Sequence, residues 1–203
     1  MTEAEKPAAT VFVVDDDQAV REALRYLVEP TGWQVEVFAG ARAFLDAYDA
    51  ARAGCLVLDV QMPGMSGPEL QAELVARGIT LPIILLSAHG TVPVAVSALQ
   101  AGAWDFIEKP YDARHLLARI RGAVAADRRA REQRAARAEA ETRLARLSAR
   151  EREVLRRLLA GEANKVIASE LGISPRTVEV YRARLLLKLG AKSMLEVARL
   201  LPR

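Results

Sequence analysis

The sequence predicts an α/β doubly wound parallel sheet of five strands, then a long linker helix, then a separate all-α domain of four helices. Three observations carry this. Short apolar, β-branched runs alternate with helix-spaced segments as far as Gly122, the pattern of repeated βαβ units. From Gly122 to Gly161 there is neither Gly nor Pro, and the composition shifts to the strong helix formers Ala, Arg and Glu. Beyond Leu147, capping residues and glycines recur at short intervals around helical apolar spacing.

In chain order, Thr10 to Val14 is β-branched or aromatic and reads as a buried strand ending at Asp15, Asp16 and Asp17. Val20, Leu24, Leu27 and Val28 have helical spacing, which stops near Pro30 and Gly32. Gln34 to Phe38 alternates as a second strand, and Ala41 to Tyr48 is a helix with Phe44 and Leu45 inward. Cys55 to Asp59 is the third strand, its apolar run that of a strand buried on both faces. A helix follows from near Ser66 and ends before Gly78. Pro82 to Leu86 is the fourth strand, stopping at Ser87. Val92 to Gln100 is a helix, Ala103 to Ile107 the fifth strand, and another helix starts at Asp112.

An apolar seam through Ala126, Ala130, Ala140, Leu144 and Leu147 is interrupted by Gln133 and Arg137, so residues 126–143 read as a solvated connecting helix rather than a coiled coil. Ser148 and Glu151 make a capping-box pattern before Val154, Leu155, Leu158 and Leu159. Val166, Ile167 and Leu171 mark a second helix closed by Gly172. Ser174 caps the third, with Pro175 at its first position and Val178, Tyr181, Leu185 and Leu189 inward. A fourth runs from about Ser193 to Leu200. The expected boundaries are a tail over 1–8, the sheet domain over 9–125, the linker over 126–143 and the helical domain over 144–203.

Half the residues, 51%, are apolar and 27% are charged, enough to bury a core. No apolar run approaches the roughly 20 residues of a membrane span, and the N-terminus lacks signal-peptide character. Cys55 alone permits neither an intramolecular disulfide nor a cysteine-based metal cluster, which suits a reducing cytoplasm; it reads as a small core residue. Residues 1–122 hold 10 Lys and Arg against 16 Asp and Glu, residues 123–203 hold 19 against 10, giving −6 and +9. The basic part points to a polyanion, most simply nucleic acid.

Asp15, Asp16 and Asp59 lie at C-terminal strand ends, so a parallel sheet gathers them on the edge where such folds place their chemistry. Acids that close raise one another's pKa unless a cation intervenes, and oxygen ligands of this kind suit Mg²⁺. Ser87 and Lys109 bring a hydroxyl and an ammonium to the same edge. Lys109 precedes Pro110, and X–Pro bonds are the ones that adopt cis. Singly, each has a plainer role as cap, turn residue or surface charge; together they make a site.

Val14-Asp15-Asp16, Asp59 with Met62-Pro63-Gly64, Ser87-Ala88 and Lys109-Pro110 resemble the flavodoxin-like receiver domain of two-component response regulators. The resemblance implies that Asp59 is phosphorylated by a histidine kinase. It also implies that Asp16, Asp59 and the Gln61 backbone carbonyl hold Mg²⁺, with Asp15 acting through water. Ser87 and Phe106 stand at the family's switch positions, and Lys109 with Mg²⁺ offsets charge on the transferring oxygens. Gln61 and His89 occupy positions that influence how fast the phosphate is lost, although His89 also reads as an exposed loop residue. His115 reads as structural.

Leu171-Gly172-Ile173-Ser174 between two helices makes a helix-turn-helix, and Leu147 to Leu155, Asn164 to Ala168, and Ser174 to Tyr181 with Lys188-Leu189 resemble the LuxR/GerE output domain. That family usually has His where this chain has Tyr181. Receiver, long Ala/Arg helix and this output together are similar to the FixJ subfamily of transcriptional regulators. Arg176, Thr177, Glu179, Val180, Arg182 and Ala183 fall on faces not needed for the core, and some of them are expected to meet base edges in the major groove, with Lys165, Arg184 and Lys188 meeting phosphates. One such domain is small for specific binding, so a homodimer on two half-sites is expected, formed through the fourth helix, fifth strand and fifth helix when Asp59 is phosphorylated.

The implied partners are a sensor histidine kinase and promoter DNA, with RNA polymerase a further candidate. One alternative keeps DNA binding but makes the receiver a fixed dimerisation module independent of phosphorylation. An enzyme alternative, a phosphatase of the haloacid-dehalogenase type, needs a second acid two residues after the nucleophile; that position is Gln61.

Overall fold

The computed structural model describes residues 9–88 and 91–200. Its elements are β1 (Thr10–Val14), α1 (Gln18–Val28), a 3₁₀ turn (Glu29–Thr31), β2 (Gln34–Phe38), α2 (Ala41–Ala47), β3 (Gly54–Asp59), α3 (Gly67–Ala76), β4 (Ile83–Ser87), α4 (Val92–Gln100), β5 (Asp105–Glu108) and α5 (Ala113–Ala145). Then come α6 (Ala149–Leu159), α7 (Asn164–Leu171), α8 (Pro175–Leu189) and α9 (Met194–Leu200). The chain divides into two compact units, between Arg131 and Glu132.

All strands of the first unit are parallel, in the order β2-β1-β3-β4-β5, as the alternating pattern predicts. Strand residues alternate between two cores. Phe12, Val14, Leu56, Leu58 and Leu85 face one side, with Phe44 of α2 and Leu70 and Leu74 of α3. Val11, Val13, Val57, Ile84 and Leu86 face the other, with Leu24 and Val28 of α1 and Leu116 and Ile120 of α5. Phe12, Phe44 and Tyr48 pack as an aromatic trio with ring centroids 5.1 to 5.7 Å apart.

β5 begins at Asp105 and not at Ala103, because Gly102 turns out of α4 with φ 95° and Ala103 still donates its N–H to the Ala98 carbonyl. The Lys109–Pro110 bond is cis. Helix α5 runs unbroken from Ala113 to Ala145, so the expected fifth helix and linker are one element.

Residues 127 and 131 of that helix attach to the first unit. The Asp127 carboxylate, 1% exposed, accepts the Gly54 N–H at 2.9 Å and Arg131 Nε at 2.7 Å, while Arg131 Nη1 reaches the Ala50 carbonyl. The second unit closes around Val154, Leu155, Ile167, Ala168, Val178, Leu185 and Leu189. On α7, Ile167 and Ala168 are buried in this core and Val166 is 46% exposed.

Candidate functional site

The sheet topology carries three acids to one edge. β1 and β3 are neighbours, and both end there. Asp15 and Asp59 are 2% and 7% exposed, and the Lys109 ammonium lies between them, 2.9 Å from Asp15 Oδ2 and 2.6 Å from Asp59 Oδ1. The remaining oxygens are met by backbone: Asp17 N–H donates to Asp15 Oδ1, and Gln61 N–H donates to Asp59 Oδ2 at 2.7 Å. Burial works to lower the Lys109 pKa, but the hydrogen bonds and charges of Asp59 and Asp15 outweigh it and hold the ammonium above its ordinary value.

The loop after Asp59 owes its course to two glycines. Gly64 has φ 79°, where only glycine is unstrained, and a Cβ on Gly67 would lie 2.4 Å from the Asp59 carbonyl oxygen. α3 can therefore start hard against the acid, with Ser66 and Glu69 forming a capping box. Asp16 is exposed, and Asp17 caps α1.

Ser87 ends β4 with its side chain buried, and its carbonyl accepts the Lys109 N–H at 2.7 Å. Phe106 lies opposite Leu85 and is half-buried against the α2–α3 core. The Gln61 side chain is exposed, His115 is exposed on α5, and Cys55 is fully buried. His89 lies outside the described residues. Among the described residues no three or more His, Cys, Asp or Glu side chains group as a ready-made metal cage.

Sequence reasoning missed Arg21, whose Nη1 holds the Asp15 and Asp16 carbonyls at 2.7 and 2.9 Å and so fixes the turn carrying both acids. The signal was its place one turn into the helix after those acids, reachable only once strand and helix are seen to fold back on each other.

In the second unit α7 and α8 form the helix-turn-helix. Gly172 in the left-handed conformation ends α7, and Ser174 caps α8 by accepting the Thr177 N–H. Arg176, Glu179, Val180 and Ala183 line one shallow concavity on the exposed face of α8, and Arg182 and Arg184 are exposed beside it. Thr177 is half-buried, its hydroxyl 2.8 Å from that of Ser174. Lys165 is exposed on α7. Lys188 has a protein partner, Glu151, at 2.6 Å.

A buried acid–lysine pocket on a parallel sheet, followed by a helix-turn-helix unit, defines a signal receiver joined to a DNA-binding output. Residues 11–121 match the response regulator receiver domain, and residues 145–201 match the bacterial regulatory proteins of the luxR family. The chain belongs to the two-component response regulators of the FixJ subfamily, which control transcription.

It is 49% identical to the transcriptional regulatory protein FixJ of Azorhizobium caulinodans over 94% of this chain and 90% of that protein. The solved structure of the response regulator StyR superposes with a TM-score of 0.85 at 41% identity, over 95% of this chain and 98% of that one. Full-length FixJ from B. japonicum gives 0.60 at 42% identity, with 96% of each chain covered. No helix among the described residues is long and apolar enough to cross a membrane.

Proposed function

We propose that Asp59 accepts a phosphoryl group from a sensor histidine kinase, and that phosphorylation promotes dimerisation and promoter binding. The observation that carries this reading is the Lys109 ammonium held against both buried carboxylates on the sheet edge. A carboxylate oxygen of Asp59 bonds to phosphorus as the phosphorus–nitrogen bond of the phosphohistidine donor breaks, and the imidazole leaves. Attack by one anion on another requires positive charge at the transferring oxygens, and Lys109 is placed to supply it.

The donor chemistry also fits a hard cation, since Mg²⁺ needs only one or two carboxylates and keeps several waters. Asp16, Asp59 and the Gln61 carbonyl would hold it, with Asp15 acting through water, and it would neutralise charge on the phosphoryl oxygens. Beyond self-phosphorylation on Asp59 and self-dephosphorylation by loss of that phosphoryl group to water, no catalytic activity is part of this reading.

Ser87 follows the phosphoryl oxygen with its hydroxyl and Phe106 turns inward behind it. That changes the face made by α4, β5 and the start of α5. Val92, Val94, Val96 and Leu99 on α4 are 39 to 77% exposed, which supports a self-association surface there. Only a difference in dimer affinity between the two states can shift the population. In the dimer α8 meets the major groove through Arg176, Thr177, Glu179, Val180, Arg182 and Ala183, while Lys165, Arg184 and Lys188 serve phosphates. The kinase, the promoter and RNA polymerase as a candidate partner all place this work in the cytoplasm.

The test is selection from a pool of promoter DNA by wild type and Asp59→Asn, with acetyl phosphate and Mg²⁺ present or absent, alongside a phosphate-affinity gel. Only phosphorylated wild type is expected to select a sequence. Equal selection by both proteins under all conditions would make the receiver a passive dimeriser.

A further inference from the structure

The last four carbonyls of a helix have no partner inside it. At the end of α8, Gly190 adopts φ 66° and returns its N–H to Leu186 and Leu187. The Leu189 carbonyl is met by a side chain from outside the helix-turn-helix: Arg143 Nη1 donates to it at 2.8 Å. Arg143 belongs to the last turn of α5. Its Nη2 is held at 2.6 Å by Glu139, one turn earlier, so one contact orients the guanidinium along α5 and the other fastens it to α8.

Gly190 leaves room for this. A Cβ there would lie 2.6 Å from Arg143 Nη1 and 3.2 Å from its Cζ. A cation at a helix C-terminus is favoured by the helix dipole, and a charge-assisted bond to a carbonyl is stronger than a neutral one. The exposed groups of α8 that face outward begin at Arg176, at the opposite end of the helix.

We propose that Arg143 is a positioning residue for DNA recognition, capping α8 from the linker helix and thereby setting how the far end of α8 enters the major groove. This rests on the reading of α8 as the helix that meets DNA. The 15 residues of α8 span about 22 Å, so a pivot of about 10° at its capped end displaces the reading end by about 4 Å. That exceeds what a hydrogen bond to a base edge tolerates.

The experiment uses the full chain with acetyl phosphate and Mg²⁺. Fluorescence anisotropy measures binding to a fragment selected by wild type and to a scrambled fragment of equal length, over a range of salt. Arg143→Ala is expected to weaken specific binding about tenfold, a loss of the size seen for one base contact. Binding to the scrambled fragment, the salt slope and the helix content stay at wild-type values, because no phosphate contact has gone.

Arg143→Lys, which keeps a cation within reach of Leu189, recovers most of the affinity. Gly190→Ala weakens binding in wild type and by less in the Arg143→Ala background, where no guanidinium remains to be displaced. Specific affinity of Arg143→Ala within twofold of wild type overturns the proposal. So does a salt slope lower by about one, the mark of a direct phosphate contact, or an equal loss on both DNAs with reduced helix content.

Arg182→Ala separates the two levels of argument. If it also leaves specific binding intact, the reading of α8 fails and takes this inference with it. If it weakens binding while Arg143→Ala does not, the positioning role alone is wrong.

Discussion

Gly67 shows how single residues set the pocket. Any side chain there meets the Asp59 carbonyl at 2.4 Å and Val60 Cα at 3.0 Å, both backbone atoms, so the clash is relieved only by moving the chain itself. Gly67→Ala is therefore expected to cost about 2 kcal/mol in urea unfolding and to slow phosphorylation by acetyl phosphate, because the loop that orients Asp59 must shift. Unchanged stability with unchanged phosphorylation rate would count against this account of the loop. Asp15, Asp59 and Ser87 were legible in the sequence because each ends an apolar run, and Lys109 because it directly follows the fifth strand; a parallel sheet gathers such ends on one edge. Arg21 and Asp127 were not, since a charged residue on a helix carries no local sign of the carbonyl or N–H it will reach. The Asp127 partner, Gly54, is 73 residues away in sequence.

At the scale of elements, strands and helices were largely readable because their apolar periods differ, whereas the ends depended on hydrogen bonds that period does not encode. The start of β5 is one case. The attachment of α5 to the base of β3 is another, and it rests on a carboxylate whose Oδ1 has no hydrogen-bond partner among the described residues. Asp127→Ala would leave the Gly54 N–H buried without an acceptor and Arg131 without its carboxylate, holding only the Ala50 carbonyl. A loss of about 3 kcal/mol in urea unfolding, with faster amide exchange at Gly54, is expected.

In α6 the Glu151 carboxyl is held below its ordinary pKa, first by the hydrogen bond from Lys188 and then by the Ser148 N–H. A depressed folded-state value means that the stabilisation is fully present above the unfolded pKa near ~4.3 and fades as pH falls through the lower folded value. Glu151→Gln should flatten the acid limb of thermal unfolding between about pH 5 and 3; an unaltered limb would show that other carboxylates set it.

For the whole molecule, the charge division of −6 and +9 already separated a regulatory unit from a nucleic-acid-binding one. What it left unseen was where one ends, because α5 shows no Gly, Pro or capping residue at the boundary between Arg131 and Glu132. The exposure pattern marks the place instead. Residues 132–139 are all exposed, between the half-buried Arg131 and the buried Ala140. Helical propensity and intrahelical ion pairs such as Arg137 with Glu141 sustain this stretch, and each such pair is weak. Local opening there costs far less than unfolding either core. Arg134 and Arg137 make that stretch the first target of trypsin: a brief digest should yield two resistant fragments parted between about residues 134 and 137, and early cuts elsewhere would place the weakest joint of the chain at another point.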